Sequence, residues 1–223
     1  MWYRFVRGIL GLYFRWQFGL RVEGREHEPA TGPVLVVSNH VSALDPPMVG
    51  VALRRQSRYM AKQELMDTPV LGFFLRTIGV FPVRRGEADR RSIRNALEAL
   101  EHGGVLVMFP EGTRSPDGRL QTAEPGAALL ALRTGAPVLP VAVIGTQHAM
   151  PRGAKRPRRT PVLIRLGAMI RPPRREGRID RAELDAWGQR FIAAIAALLP
   201  DDQQPAPSVP AAVREASPPT AGR

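Results

Sequence analysis

The sequence predicts an α/β domain, with a mostly parallel central sheet flanked by helices and an amphipathic helix in front. Three observations predict it. Short β-branched runs at 34–37 (VLVV), 105–109 (VLVMF) and 138–143 (VLPVAV) alternate with segments of helical periodicity, the rhythm of βαβ units. Each run is bounded by glycine, proline or a polar turn. A length of 223 residues suffices for one domain with a substantial core and appendages.

The first segment, 1–21, reads as a helix that lies on a membrane surface. Its longest uncharged stretch, 8–14, is too short to cross a bilayer, and no small-residue cleavage site follows. At about 100° per residue, Trp2, Phe5, Val6, Ile9, Leu12, Tyr13, Trp16 and Leu20 fall in one arc of roughly 120°. Arg4, Arg7 and Arg15 cluster opposite, a pattern suited to the bilayer interface. Phe14 and Phe18 break it by falling near the arginines. The other reading is a helix packed on its own domain.

A strand entered through Gly32-Pro33 covers 34–37, and a second covers 58–61. A helical stretch follows at 68–77, then a strand at 80–83. Ile93, Ala96, Leu97 and Leu100 repeat at helical spacing up to Gly103-Gly104, which ends the helix. The strand 105–109 leads through Pro-Glu-Gly-Thr-Arg to a turn at 115–118. A helix at 126–133 is closed by Gly135 before the strand at 138–143. One more strand candidate lies at 162–166, and a last helix runs from 180 to 199. The main domain therefore spans 22–199, while 200–223 has almost no apolar periodicity and reads as disordered.

The net charge of +12 is uneven. Residues 1–21 hold four arginines and no acid, and residues 148–178 hold ten basic residues against Glu176 alone. Two basic segments flanking a balanced core point to an anionic surface such as lipid. Nucleic acid is disfavoured, because no aromatic residue lies between Arg152 and Arg178 to stack on bases. The chain has no cysteine, which excludes disulfides and thiolate chemistry. His27, His102 and His148 stand without ligand spacing, so no metal is expected.

Chemistry concentrates at strand ends. NHVSALD, at 39–45, places His40 just past a strand and Asp45 before Pro46, where it can serve as helix N-cap. A carboxylate on one imidazole nitrogen fixes the tautomer while the other nitrogen takes a proton, so His40 and Asp45 are the candidate catalytic residues. In FPEGTRS, at 109–115, Gly112 lets backbone approach a ligand, Thr113 offers a hydroxyl and an amide, and Arg114 can hold a phosphate. Glu111 could fix that arginine or lie near an acceptor hydroxyl. Arg84 and Arg85 form a second potential phosphate site. All follow predicted strands and could meet on one rim, where open α/β sheets bind ligands.

Together these strings resemble the glycerolipid acyltransferase family, the bacterial 1-acylglycerol-3-phosphate acyltransferases. NHVSALD matches its Asn-His-x-Ser-x-x-Asp block, and residues 79–85 match its second block with Arg85 at the arginine position. FPEGTRS matches the third, Val138-Leu139-Pro140-Val141 looks like the fourth, and YMAKQEL resembles the segment joining the first two. The second block carries Pro82 where an aromatic or aliphatic residue is usual, and Arg84 where aspartate is common. Thr122, Ala123, Glu124 and Pro125 stand directly before Gly126, where many members carry basic residues.

The resemblance implies transfer of a fatty acyl group from acyl-CoA or acyl-ACP to the free hydroxyl of 1-acylglycerol 3-phosphate, yielding phosphatidic acid. It implies His40 as base, Asp45 as its orienter, Arg85 and Arg114 on the acceptor phosphate, and no cofactor beyond the donor. Ser42, in this pattern, braces the turn rather than acting as nucleophile. Expected partners are an anionic membrane surface, a lysophospholipid and acyl-CoA or acyl carrier protein. The expected location is peripheral, on the cytoplasmic face of the cell membrane. Glycerol 3-phosphate, another lysolipid or a lyso-aminolipid could replace the acceptor. A thioester hydrolase would use a similar base, and a non-enzymatic basic protein would need none.

Overall fold

The strand entered through Gly32-Pro33 is the middle of the sheet. The computed structural model describes residues 1–69, 72, 75, 80–83, 90–154 and 156–205. Among them the strands are β1 (Arg21–Glu23), β2 (Val34–Ser38), β3 (Ser57–Lys62), β4 (Val80–Val83), β5 (Val105–Met108), β6 (Val138–Ile144) and β7 (Leu163–Leu166). Their order across the sheet is β1-β7-β6-β2-β5-β3-β4, and every pairing is parallel except β6 with β7. The chain leaves β2 toward one edge, returns to β5 and crosses to β6 on the other side. The carboxyl ends of β5, β2 and β6 therefore lie side by side at a topological switch point, where such sheets bind ligands.

The helices are α1 (Trp2–Phe18), α2 (Asp45–Ala52), α3 (Gln63–Met66), α4 (Arg90–Glu101), α5 (Pro125–Thr134), α6 (Thr146–Ala149) and α7 (Arg181–Ala196). They cover both faces of the sheet. Because side chains alternate along a strand, Val34 and Val36 of β2 pack with Phe14, Phe18, Met48 and Val49 from α1 and α2. Leu35 and Val37 pack on the other face with Leu100, Leu130 and Phe191 from α4, α5 and α7. Two-sided burial is why β2 is an unbroken apolar run rather than an alternating one.

The first helix resolves the conflict its wheel posed. Phe14 and Phe18 are buried in the core, and Arg7 on the same side donates to the carbonyls of Leu53 and Arg54 at the carboxyl end of α2 (2.5 and 2.6 Å). Those two rings belong to an inward face. The aromatic arc faces outward: Phe5 is 60%, Leu12 71% and Trp16 66% exposed. The helix thus packs on its own domain through one side and leaves an apolar side exposed. Among the described residues no helix is long and apolar enough to cross a membrane.

Among the described residues, β1, which is three residues long, the 3-10 turn Arg25–His27 and the single-turn helices α3 and α6 escaped the sequence reading. The last helix ends at Ala196 rather than 199. Order also continues past 200, contrary to the expected disorder from that point. Asp201–Gln203 form a 3-10 turn, the Gln203 side chain is buried, and its carbonyl accepts from Leu120 N–H at 2.9 Å. Tertiary contact, invisible in the local pattern, holds that segment. Residues 206–223 and most of the stretch expected as a helix at 68–77 lie outside the described residues.

Candidate active site

His40 follows β2, Glu111 follows β5 and Thr146 follows β6, so three adjacent parallel strands deliver the site. The turn after β2 is set by Asn39, buried and bonded through its amide to Val143, with Nδ2 to the carbonyl at 2.8 Å and Oδ1 from the N–H at 2.7 Å. The side chain does what another strand residue's backbone would do. It prolongs the β2–β6 ladder while freeing the main chain to turn.

His40 Nδ1 lies 2.9 Å from Asp45 Oδ2. The same oxygen accepts the backbone N–H groups of Val41 and Ser42, both at 2.7 Å, and Oδ1 accepts the Thr146 hydroxyl at 2.6 Å. A carboxylate so surrounded offers only lone pairs, so Nδ1 must carry the proton. The other ring nitrogen is then the acceptor, and it has no protein partner among the described residues. The ring stacks on Phe109, with centroids 4.2 Å apart and planes at 26°, and its side chain remains 16% exposed. The imidazole is held in one tautomer and one plane, with its basic edge open.

Two details of the sequence reading change here. Asp45 is not the N-cap of α2 but its first residue, preceded by Leu44 with no side-chain cap. Its carboxylate turns back into the His40 loop because three closer donors wait there. Glu111 does not hold Arg114. Its Oε1 accepts His40 N–H at 2.6 Å and its Oε2 accepts Gln121 N–H at 3.0 Å. With Ser115 N–H donating to the His40 carbonyl at 2.7 Å, both polar groups of the His40 backbone are tied to the loop after β5. Burial pushes the Glu111 carboxyl up to about 7, although its two amide bonds favour the charged form.

Ser42 is buried, donates to the Met150 carbonyl at 2.9 Å and accepts Leu44 N–H at 3.3 Å. A hydroxyl spent on bracing the turn is not poised as a nucleophile. Gly112 adopts a left-handed φ of 68°, which lets the loop fold back on itself beside the Glu124 side chain. Thr113 is exposed and Arg114 half-buried, and neither side chain has a partner among the described residues. Arg84 and Arg85 lie outside the described residues; β4, which leads to them, ends on the same rim as β3 and β5.

Sequence reasoning missed Thr146. It stands 101 residues from Asp45, and the only local signal is Gly145 after a strand, at φ 95°, where a Cβ would collide with the Pro161 carbonyl. The basic segment 148–178 proves not to be one patch. Arg158 N–H bonds to Ala149 at the rim, and Arg159 stacks over Trp16 at 5.2 Å. Since β7 runs back down the sheet, Arg175 instead meets Leu132, at the opposite end.

Comparison with known proteins identifies the family. Residues 19–144 match the acyltransferase family. A chloroplastic 1-acyl-sn-glycerol-3-phosphate acyltransferase of Arabidopsis thaliana is 34% identical over 143 residues, 62% of this chain and 39% of that one. The chain thus spans about two fifths of the length of that relative. A lyso-ornithine lipid O-acyltransferase of Pseudomonas aeruginosa is 32% identical over 189 residues, 78% of this chain and 71% of that one. Among solved structures, the 1-acyl-sn-glycerophosphate acyltransferase PlsC of Thermotoga maritima superposes with a TM-score of 0.71 at 28% identity, covering 88% of this chain and 79% of that one.

Proposed function

Because the chain belongs to the acyltransferase family, we propose that it transfers a fatty acyl group from acyl-CoA or acyl-ACP to the free hydroxyl of 1-acylglycerol 3-phosphate, giving phosphatidic acid. One observation carries the reading: an imidazole locked by a buried carboxylate, with its basic nitrogen left without a partner among the described residues.

The acceptor hydroxyl gives its proton to His40 Nε2 as its oxygen bonds to the thioester carbonyl carbon. Asp45 keeps the ring oriented and stabilises the imidazolium. The tetrahedral adduct then collapses with cleavage of the C–S bond, and the thiolate leaves with the proton from the imidazolium. No acyl-enzyme is required and no cofactor beyond the donor. The N–H groups of His40, Val41 and Ser42 are already committed to Glu111 and Asp45, so they cannot serve the oxyanion. Those of Thr113 and Arg114 carry no bond among the described residues and are the better donors. Arg114 and Arg85 take the acceptor phosphate, assisted by Arg84, the neighbour of Arg85 in sequence.

A lysophospholipid must be drawn from a bilayer. The outward face of α1, with Leu12 and Trp16 largely exposed, supports peripheral docking, and Arg159 over Trp16 adds positive charge at the same edge. The reading places the protein on the cytoplasmic face of the cell membrane, where acyl thioesters are made. A second acceptor, a lyso-aminolipid, is supported by the breadth of the match to the lyso-ornithine lipid enzyme and by the absence of basic residues at 122–125, directly before Gly126.

Thiol release from acyl-CoA, measured with 1-acylglycerol 3-phosphate, glycerol 3-phosphate and a lyso-aminolipid in turn, tests the proposal. Release should depend on the acceptor and be fastest with 1-acylglycerol 3-phosphate. Equal release with no acceptor present would make the protein a hydrolase.

A further inference from the structure

Between α1, β1 and the end of α2 lies a cavity of about 150 Å³, lined by Arg15, Leu20, Val22, Arg25 and Val51. That is several times the roughly 30 Å³ a water occupies in the liquid. β1 is parallel to β7, and β7 runs against β6, so β1 points away from the His40 rim. Arg25, in the turn after β1, therefore stands toward the other end of the sheet. This is not part of the acyl-transfer site.

The charges around the cavity do not balance. Arg25 Nε is buried and has no hydrogen-bond partner, an arrangement native structures rarely tolerate. Burial lowers the pKa of this guanidinium, and repulsion from Arg15, Arg54 and Arg7 lowers it further, with Glu28 opposing. Yet both oxygens of Glu28 are taken, by the backbone N–H groups of Arg54 (2.7 Å) and Arg55 (3.0 Å). Arg7 is turned to carbonyls. Among the described residues, neither Arg15 nor Arg25 forms an ion pair. What would satisfy a buried donor inside a cluster of like charge is an anion, and guanidinium groups suit phosphate oxygens best.

We infer that this cavity is a headgroup site for the phosphate of an anionic phospholipid, held between Arg15 and Arg25. The lipid source follows from the walls. Leu20, Val22 and Val51 are apolar, which suits the methylenes of a glyceride backbone and not a free phosphate. Leu12 is exposed one helical turn from Arg15, so acyl chains leaving the cavity run along the outward face of α1. The site rests on α1 meeting a bilayer, but not on acyl transfer.

Co-sedimentation with phosphatidylcholine vesicles, with and without phosphatidylglycerol, tests it on wild type, Arg25→Lys and Arg25→Gln. Both variants should lose about tenfold in affinity for the phosphatidylglycerol vesicles, because each loses the planar fork, while binding to phosphatidylcholine alone stays level. Diffuse surface attraction counts lysine and arginine alike. Arg25→Lys at wild-type affinity would therefore overturn the site. A second measurement needs no variant to bind: the Arg25 Nε–H resonance of wild type, assigned by its absence from Arg25→Lys. It should shift with short-chain phosphatidylglycerol at concentrations where inorganic phosphate has no effect. An equal shift with inorganic phosphate would overturn the lipid assignment, and no shift with either would overturn the site. Loss of acyl transfer would move none of these readouts.

Discussion

Around His40, one ring nitrogen, both backbone polar groups and the neighbouring carboxylate are tied to protein, whereas on the loop after the next strand the Thr113 and Arg114 side chains have no partner among the described residues. The difference follows from what each half must do. A base must stand still in one tautomer before the substrate arrives, so its bonds are made in advance. A phosphate-binding group must keep its valences for the ligand. The two regions are joined by Glu111, which belongs to the loop of one half and holds the backbone of the other.

The largest break in this comparison should come from Asp45→Asn. The amide nitrogen cannot accept, so the four present donors cannot all be satisfied, and kcat should fall about 10³-fold with little change in KM. A fall in kcat of only a few-fold would show that the ring needs no fixed carboxylate. The Glu111 bridge predicts an effect on stability. Its carboxyl keeps its proton in the folded state up to about 7, while the unfolded chain releases it near 4.5. Stability should thus decrease as pH rises through that interval, by about 3 kcal/mol in all, and level off above it. Urea unfolding at about pH 5 and about pH 8 reads the slope. Glu111→Gln should flatten it.

Thr146→Val should lower kcat about tenfold or more, since it leaves a buried carboxylate oxygen without its donor, at a cost of about 1–3 kcal/mol. Thr146→Ser should recover most of the loss, which a purely steric role would not allow. The smallest effect belongs to the open half. Arg114→Gln should raise KM for the phosphorylated acceptor about tenfold and leave kcat within a few-fold, as expected of a group that binds ground and transition state alike. A collapse of kcat instead would place Arg114 in the chemistry.

Much of this was legible in the sequence, for identifiable reasons. β2, β5 and β6 are buried on both faces and announce themselves as apolar runs, so the rim shared by His40 and Glu111 could be foreseen. The pairing of His40 with Asp45 is local, five residues apart, and short loops leave few alternatives. Thr146 was out of reach because its contact spans 101 residues and nothing in its own neighbourhood marks it. The pairing of Glu111 with Arg114 failed because a carboxylate three residues from an arginine invites an ion pair, while the fold offered it two backbone amides instead. Phe14 and Phe18 looked like flaws in an amphipathic helix because a wheel has one inside, and α1 has an inward face and an apolar outward one.

The central claim, that His40 carries the proton in acyl transfer, is tested most directly by the acceptor-dependent rate of thiol release from acyl-CoA in wild type and His40→Ala. The account predicts a loss of about 10³-fold or more with the acceptor still bound. Equal rates for the two proteins would contradict it.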